Sequence, residues 1–303
     1  MAYELQTGET LPTGIKRIVH EQAQKALEHL HLAEDVEEDV HEMRKCMKRI
    51  RAVLRLVRYE IGEQNYQLEN AAYRDAAREL SAVRDSHVMI ETFDHIVKAS
   101  KKEAKITLKM PEIRKKLVNH CEQTIYEVIE KQDAFSKCIE QLEQAQARID
   151  DWPVKHDDFS AIDDGLKRIY KQGVRGMARA YTNPTSAPHF HDWRKRVKYL
   201  WYHMQLLTPL CDAIASYAGE LDTLADQLGI AHDYAVLYDK LANYSETRSG
   251  DGRRLLAQLD YQRAQNESAA QPLAADIYQK KPSQFIKRIA SYWDAWQHQT
   301  VMS

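Results

Sequence analysis

The sequence predicts an all-α protein: an internally duplicated helical bundle of two antiparallel bundle-like repeats in a pseudo-twofold relation. Three observations predict it. The composition is that of helices, with 44% hydrophobic residues and only 10 glycines and 8 prolines in 303 residues, and with long stretches rich in Ala, Leu, Glu, Gln, Lys and Arg. Residues 41–58, HEMRKCMKRIRAVLRLVR, split at helical spacing into an apolar and a cationic arc. Three blocks of sequence then recur, in the same order, about 150 residues further on.

The recurrence is close to constant in register. GIKRIV at Gly14 parallels GLKRIY at Gly165, an offset of 151. HEMRKCMKRIRAVLRLV at His41 parallels HDWRKRVKYLWYHMQLL at His191, an offset of 150. LSAVRDSHV at Leu80 parallels LGIAHDYAV at Leu228, an offset of 148. The simplest reading is a first repeat over residues 1–150 and a second over 151–303, parted at DDWPVKHDD (150–158). Short helices need tertiary packing, so the two repeats are expected to dock on each other.

In chain order, the first helix is placed at 14–33, opened by GIKRIV. The second, at 37–60, carries the two arcs. LSAVRDSHV straddles the junction of helices at 66–83 and 84–99. A long helix with a break follows over 111–149, starting at Pro111, where the missing N–H is tolerated. Pro153 lies in the connection to a helix at 160–181 opened by GLKRIY, and Pro184 and Pro188 lead into one at 188–208. LGIAHDYAV joins helices at 211–229 and 232–247. Helices at 252–280 and 283–297 close the chain, the last starting at Pro282.

The second helix has the most informative face. At 100° per residue, His41, Arg44, Lys45, Lys48, Arg51, Arg55 and Arg58 share an arc of about 140°. Met43, Cys46, Met47, Ile50, Val53, Leu54 and Val57 fill the opposite, core-facing arc. The single acid, Glu42, lies outside the basic arc. Six like-charge pairs at i,i+3 or i,i+4 cost about 1–3 kcal/mol in an isolated helix, so something anionic should face the stripe. Seven cations against one acid make the segment +6 in a chain of net charge −2, leaving −8 elsewhere, so acids on neighbouring helices are available. The stripe nonetheless runs for roughly 25 Å, far more than one ion pair needs.

The counterpart in the second repeat is shorter. His191, Arg194, Lys195 and Lys198 hold the basic arc, after which Trp201, Tyr202, Gln205 and Thr208 stand where the first repeat has cations. On the preceding helix Lys167 and Lys171 match Lys16 and His20. If the repeats face each other, both stripes line one groove. Of Tyr217, Tyr234, Tyr238, Trp193 and Trp201, which suggest an aromatic cofactor box, Trp193 falls on the apolar arc beside Val197 and Leu200 and reads as core.

Other classes are excluded by what is missing. No apolar run is long enough to span a membrane, and the amino terminus has no signal-peptide pattern, which places the protein in the cytoplasm. The four cysteines, Cys46, Cys121, Cys138 and Cys211, form no C-x-x-C pair, and no metal or redox role is assigned to them. Without a Walker loop or H-E-x-x-H, the chain offers no catalytic motif, and neither a catalytic residue nor a cofactor is assigned. Asp85 and Asp233, which recur beside Arg84 and His232, read as helix caps or as holders of basic side chains.

Taken together, the two H-x-x-R-K helices, each followed by L-x-x-x-(R/H)-D-x-x-V, and the K-K-P-S-Q-F helix start resemble the CHAD family, the conserved histidine α-helical domain, from about residue 10 to 297. The resemblance implies a pair of helical repeats with a basic surface that binds inorganic polyphosphate, in some members at polyphosphate granules. It makes His41 and His191 the namesake histidines and places Arg44, Lys45, Lys48, Arg194, Lys195 and Lys198 on the basic surface. Two departures matter. Aligned through Leu80 and Leu228, the first repeat has Arg74, Arg78 and Arg84 where the second has Asp222, Asp226 and His232, so unequal contributions are expected. The chain also has no E-x-E, the mark of the triphosphate-hydrolase module found in many relatives.

The expected ligand is therefore inorganic polyphosphate. Its expected site comprises His41, Arg44, Lys45, Lys48, Arg51, Arg55, Arg58, Arg84, Lys16, Lys167, Lys171, His191, Arg194, Lys195, Lys198 and Lys281. Arg grips two phosphate oxygens at once, while Lys acts as a mobile point charge. Two alternatives stay open: a phosphohydrolase, phosphotransferase or metal-chelating histidine protein, and a generic polyanion or RNA binder. Oligomeric state is left open by the sequence.

Overall fold

The computed structural model describes residues 3–103, 110–248 and 250–301; Met1 and Ala2, at the head of the stretch read for a targeting signal, lie outside them. Among the described residues there are twelve α-helices and no strand. They are α1 Leu11–Leu32, α2 Val36–Leu56, α3 Arg58–Ile61, α4 Glu63–Glu79, α5 Ser81–Glu103, α6 Pro111–Ile125, α7 Ala134–Gln146, α8 Ser160–Thr182, α9 Ala187–Leu206, α10 Asp212–Leu241, α11 Gly250–Ile277 and α12 Pro282–Val301. Among the described residues no helix is long and apolar enough to cross a membrane.

Local chemistry explains most boundaries. Thr10 caps α1 by accepting from the Thr13 N–H, and Asp35 caps α2 by accepting from the Glu37 and Glu38 N–H groups. Proline stands in the first turn of α6, α9 and α12. Pro272 lies inside α11.

Two expectations are corrected. The helix placed at 37–60 stops at Leu56, and Arg58 begins the separate single turn α3, so the basic stripe does not lie on one straight helix. The helices placed at 211–229 and 232–247 are one 30-residue helix, α10, running through Gly229. Gly229 faces the Arg194 guanidinium, and helices α9 and α11 pack along α10 and hold it continuous through the glycine. The break expected in the helix over 111–149 is present, as a π turn at Tyr126–Lys131, and the stretch ends in a 3₁₀ turn at Ile149–Asp151.

One continuous core runs from Leu5 through Ile50 and Leu54 to Trp193, Leu224 and Trp296, and a smaller cluster of Phe93, Ile96, Ile113, Leu117, Tyr234, Leu237 and Leu255 lies between α5, α6, α10 and α11. Helix α2 is central and packs on α1, α4, α5, α8 and α9. Its approach to α8 is so close that a Cβ on Gly165 would come within 1.9 Å of the Leu56 carbonyl oxygen. Fully buried His203 of α9 donates from Nε2 to the Ala52 carbonyl at 2.8 Å. Burial pushes its imidazole down to about 4, so it is neutral at physiological pH. These contacts set the polar faces of α2 and α9 side by side. The 150–158 stretch is pinned rather than loose, since Asp157 accepts the Leu11 N–H and Trp152 and Val154 are buried.

Candidate functional site

Cations from α2, α5 and α9 crowd around Lys48. The lysine is open to solvent, yet protein atoms crowd around it. Loss of hydration, then the charges of Arg44, Arg194, Lys198 and Arg84, push its amine down to about 7. Two of those neighbours precede residue 150 and two follow it. Asp233 lies in the same cluster, its carboxyl raised by burial against the pull of Arg194, Arg84 and Lys48.

The arginines of the two H-x-x-R-K segments are held in place. Arg44 Nη1 donates to the Ala77 carbonyl at the end of α4, and Asp85 favours its charge against the cost of burial. Arg194 lies over Gly229 of α10. In both, Nε is buried and has no acceptor.

The histidines are half-buried and held below the usual imidazole range. For His41 burial is the main cause, followed by the Arg84 charge. For His191 burial again leads, followed by Lys195 and Arg194. His191 and His232 face each other Nδ1 to Nδ1 at 3.2 Å, and burial together with Arg194 drives His232 down to about 3. One neutral ring therefore donates from Nδ1 and the other accepts there, so the two rings hold opposite tautomers.

Several expected site residues are already engaged. Lys45 and Lys25 share Glu42 at 2.9 and 2.7 Å. Burial opposes the Glu42 charge, but these hydrogen bonds outweigh it and hold the carboxyl at about 2. Lys195 pairs with Asp192 at 2.6 Å, and Arg84 with Glu91 at 3.3 Å. Lys198 lies over the Trp201 ring at 4.9 Å, with Asp226 at 3.9 Å. Burial and Arg194 push its amine down, against the pull of Asp226, Asp222 and Asp233.

The carboxyl-terminal end of the stripe departs further from the expectation of unpartnered cations. Arg51 donates to Asn70 at 3.2 Å. Arg55 donates to the Arg51 carbonyl at 2.6 Å and stacks on Tyr199 at 4.0 Å. Arg58 pairs with Glu63 at 2.6 Å and stacks on Tyr66 at 4.1 Å. Glu63 neutralises Arg58, while an amide, a carbonyl and an aromatic ring hold Arg51 and Arg55 in place with their charges intact, which a single-helix projection could not show.

Lys16 donates to the Asp150 carbonyl at 2.6 Å. Lys281 is exposed at the start of α12, which packs on α8 and the 208–210 turn, away from α2. Lys167 and Lys171 are exposed on α8 and line a 410 Å³ concavity with Tyr59, Arg168 and Arg175. A second concavity of 190 Å³ shares Gln172 and Arg175 and adds Arg179, Asp192 and Arg196. The Arg196 charge also reaches Arg55, so this α8 surface continues from the end of the α2 stripe. Arg175, Arg179 and Arg196 were missed in the sequence. The signal was present, because Lys167, Lys171, Arg175 and Arg179 fall at successive i+4 positions. Of the aromatic set, Trp193 is fully buried core and Tyr217 donates to the Ile277 carbonyl at 3.0 Å.

Residues 17–242 match the CHAD domain. The chain belongs to the CHAD family. The matched span takes in both H-x-x-R-K segments and both L-x-x-x-(R/H)-D-x-x-V segments and stops at the end of α10, so α11, α12 and K-K-P-S-Q-F lie beyond it. Two solved structures have a similar fold. One is the CHAD domain from the plant Ricinus communis, with a TM-score of 0.58 and 16% identity over 93% of this chain and 94% of that one. The other is PptA from Streptomyces chartreusis, with a TM-score of 0.60 and 12% identity over 90% of this chain and 100% of that one. No curated protein matches the CHAD chain described here.

Proposed function

We propose that this CHAD protein is a non-enzymatic binder of inorganic polyphosphate, which lies in a basic groove between the H-x-x-R-K helices α2 and α9. The reading includes an internal duplication, with repeats over 1–150 and 151–303 related by a pseudo-twofold axis. In it His41 corresponds to His191, Arg44 to Arg194, Lys48 to Lys198 and Asp85 to Asp233.

The observation that carries the proposal is the crowding at Lys48, where loss of hydration first, and then the charges of Arg44, Arg194, Lys198 and Arg84, hold the amine at about 7. Such crowding costs the folded state free energy until an anion fills the space between the charges. A chain of linked phosphates suits it because each unit offers charged oxygens to Arg and Lys without any sequence to be read. Arg51, Arg55 and the α8 cations extend the track for a long chain, while Lys45, Lys195 and Arg58, already paired, contribute less. Lys16 and Lys281 stand outside the track. The protein is read as cytoplasmic, with polyphosphate granules as a place it would bind.

Competition tests the ligand class. Long-chain polyphosphate is expected to displace labelled RNA at matched phosphate concentration, whereas RNA fails to displace polyphosphate. Equal displacement in both directions would make this a generic polyanion surface. Phosphate release or nucleotide formation from polyphosphate with divalent metal, lost in His41→Ala, would replace the binding reading with an enzymatic one.

A further inference from the structure

A second cluster of chemically competent side chains lies where the start of α2 meets α5 and α6, and uses none of the residues assigned to the anion. Glu37 in the first turn of α2, His87 on α5 and Cys121 on α6 bring one carboxylate oxygen, one ring nitrogen and one sulfur within 4.8 Å of one another. In the primary sequence they are 50 and 34 positions apart, so no spacing motif joins them.

Their geometry is that of groups converging on a third point. His87 Nδ1 lies 2.7 Å from a Glu37 oxygen. It is nevertheless buried and has no hydrogen-bond partner, because the two atoms do not point at each other. On the far side of the ring, Nε2 lies 3.3 Å from a Glu91 oxygen. A carboxylate behind a histidine is the arrangement that fixes the tautomer and orientation of a metal-bound imidazole. Cys121 is only 3% exposed, and its single side-chain neighbour by hydrogen bond is the Ser86 hydroxyl at 3.4 Å. A simple ion triad of Glu37, His87 and Glu91 accounts for neither the misdirected Nδ1 nor the sulfur beside it.

We propose that Glu37, His87 and Cys121 form a binding site for a divalent zinc-type cation, with Glu91 orienting His87 from behind. An oxygen, nitrogen and sulfur donor set suits a borderline ion such as Zn²⁺ or Co²⁺ rather than Mg²⁺ or Ca²⁺. Tetrahedral bonds of about 2.0–2.3 Å place ligand atoms about 3.3–3.6 Å apart, so the Glu37 oxygen and His87 Nδ1, now 2.7 Å apart, must separate slightly, and with all three donors within 4.8 Å of one another small side-chain movements form the site. Cys121 binds as thiolate and gives its proton to solvent. The fourth position is left for water. His41 and His191 take no part. The ion fastens the start of α2 to α5 and α6, and because Glu91 also pairs with Arg84 at 3.3 Å, it steadies one cation of the Lys48 cluster. The site stands whether or not polyphosphate is the ligand of that cluster.

Titration of chelator-stripped full-length protein with Co²⁺ tests this. The expected result is one Co²⁺ per chain, with tetrahedral d–d bands and a thiolate-to-cobalt charge-transfer band. Cys121→Ser is expected to abolish the charge-transfer band and Cys211→Ser to leave it unchanged. Glu91→Gln should weaken binding about 10–100-fold. No charge-transfer band, or one that survives Cys121→Ser, overturns the proposal. Should Cys121→Ser fail to fold, X-ray absorption of the zinc-loaded wild-type protein decides: one sulfur with nitrogen and oxygen supports the site, and a sulfur-free shell overturns it.

Discussion

Lys48 shows how a residue can be costly to the fold and useful to the function. With its amine held at about 7, the folded chain binds fewer protons than the unfolded chain between about pH 7 and pH 10. Stability of the free protein is therefore expected to rise with pH across that window. In Lys48→Met the rise should flatten and the protein should be more stable at pH 6, as chemical denaturation at several pH values will show. Bound phosphates reverse the bias and recharge the amine. Affinity for polyphosphate should then fall by up to about tenfold per pH unit above 7. Calorimetry at pH 8 in buffers of different ionisation enthalpy should register proton uptake. A pH-independent affinity in wild-type protein would place Lys48 outside the binding site. Lys45→Ala should have a smaller effect on affinity than Lys48→Ala, because its charge already serves Glu42.

At the scale of elements, the packing of α2 against α8 and α9 is what brings the charges together. Gly165→Ala tests this, since its Cβ would strike the Leu56 backbone. The expected loss is about 1–3 kcal/mol, measured by urea unfolding, with weaker polyphosphate binding. The α8 stripe makes a separate prediction. Arg175→Ser with Arg179→Ser should weaken binding of long polyphosphate while leaving short chains nearly unaffected, because only a long chain reaches from Lys48 to α8. The two arcs of α2 were readable from amphipathic spacing, because a core-facing helix must alternate at 3.6 residues. The continuity of α10 was not, because Gly229 resembles a helix stop and only the neighbours α9 and α11 hold it helical. The stacking of Arg55 on Tyr199 and of Arg58 on Tyr66, and the pairing of Arg58 with Glu63, were hidden for the same reason: the rings and the acid come from other elements. Glu37, His87 and Cys121 meet only after three helices have packed.

Across the whole molecule a net charge of −2 coexists with a concentrated basic surface, so field at the site depends on placement rather than on the sum. An anion held mainly by such a surface is sensitive to salt. By analogy with DNA, six to ten phosphate contacts imply an affinity loss of about 10³–10⁵ between 50 and 200 mM salt. The most direct measurement is calorimetric titration of long-chain polyphosphate into wild-type, Lys48→Glu, Lys198→Glu and doubly reversed protein at fixed salt. A shared groove predicts that each single reversal weakens binding about 10-fold or more and that the double reversal departs from the product of the two. Wild-type affinity in Lys48→Glu, or strictly independent effects of the two reversals, would contradict it.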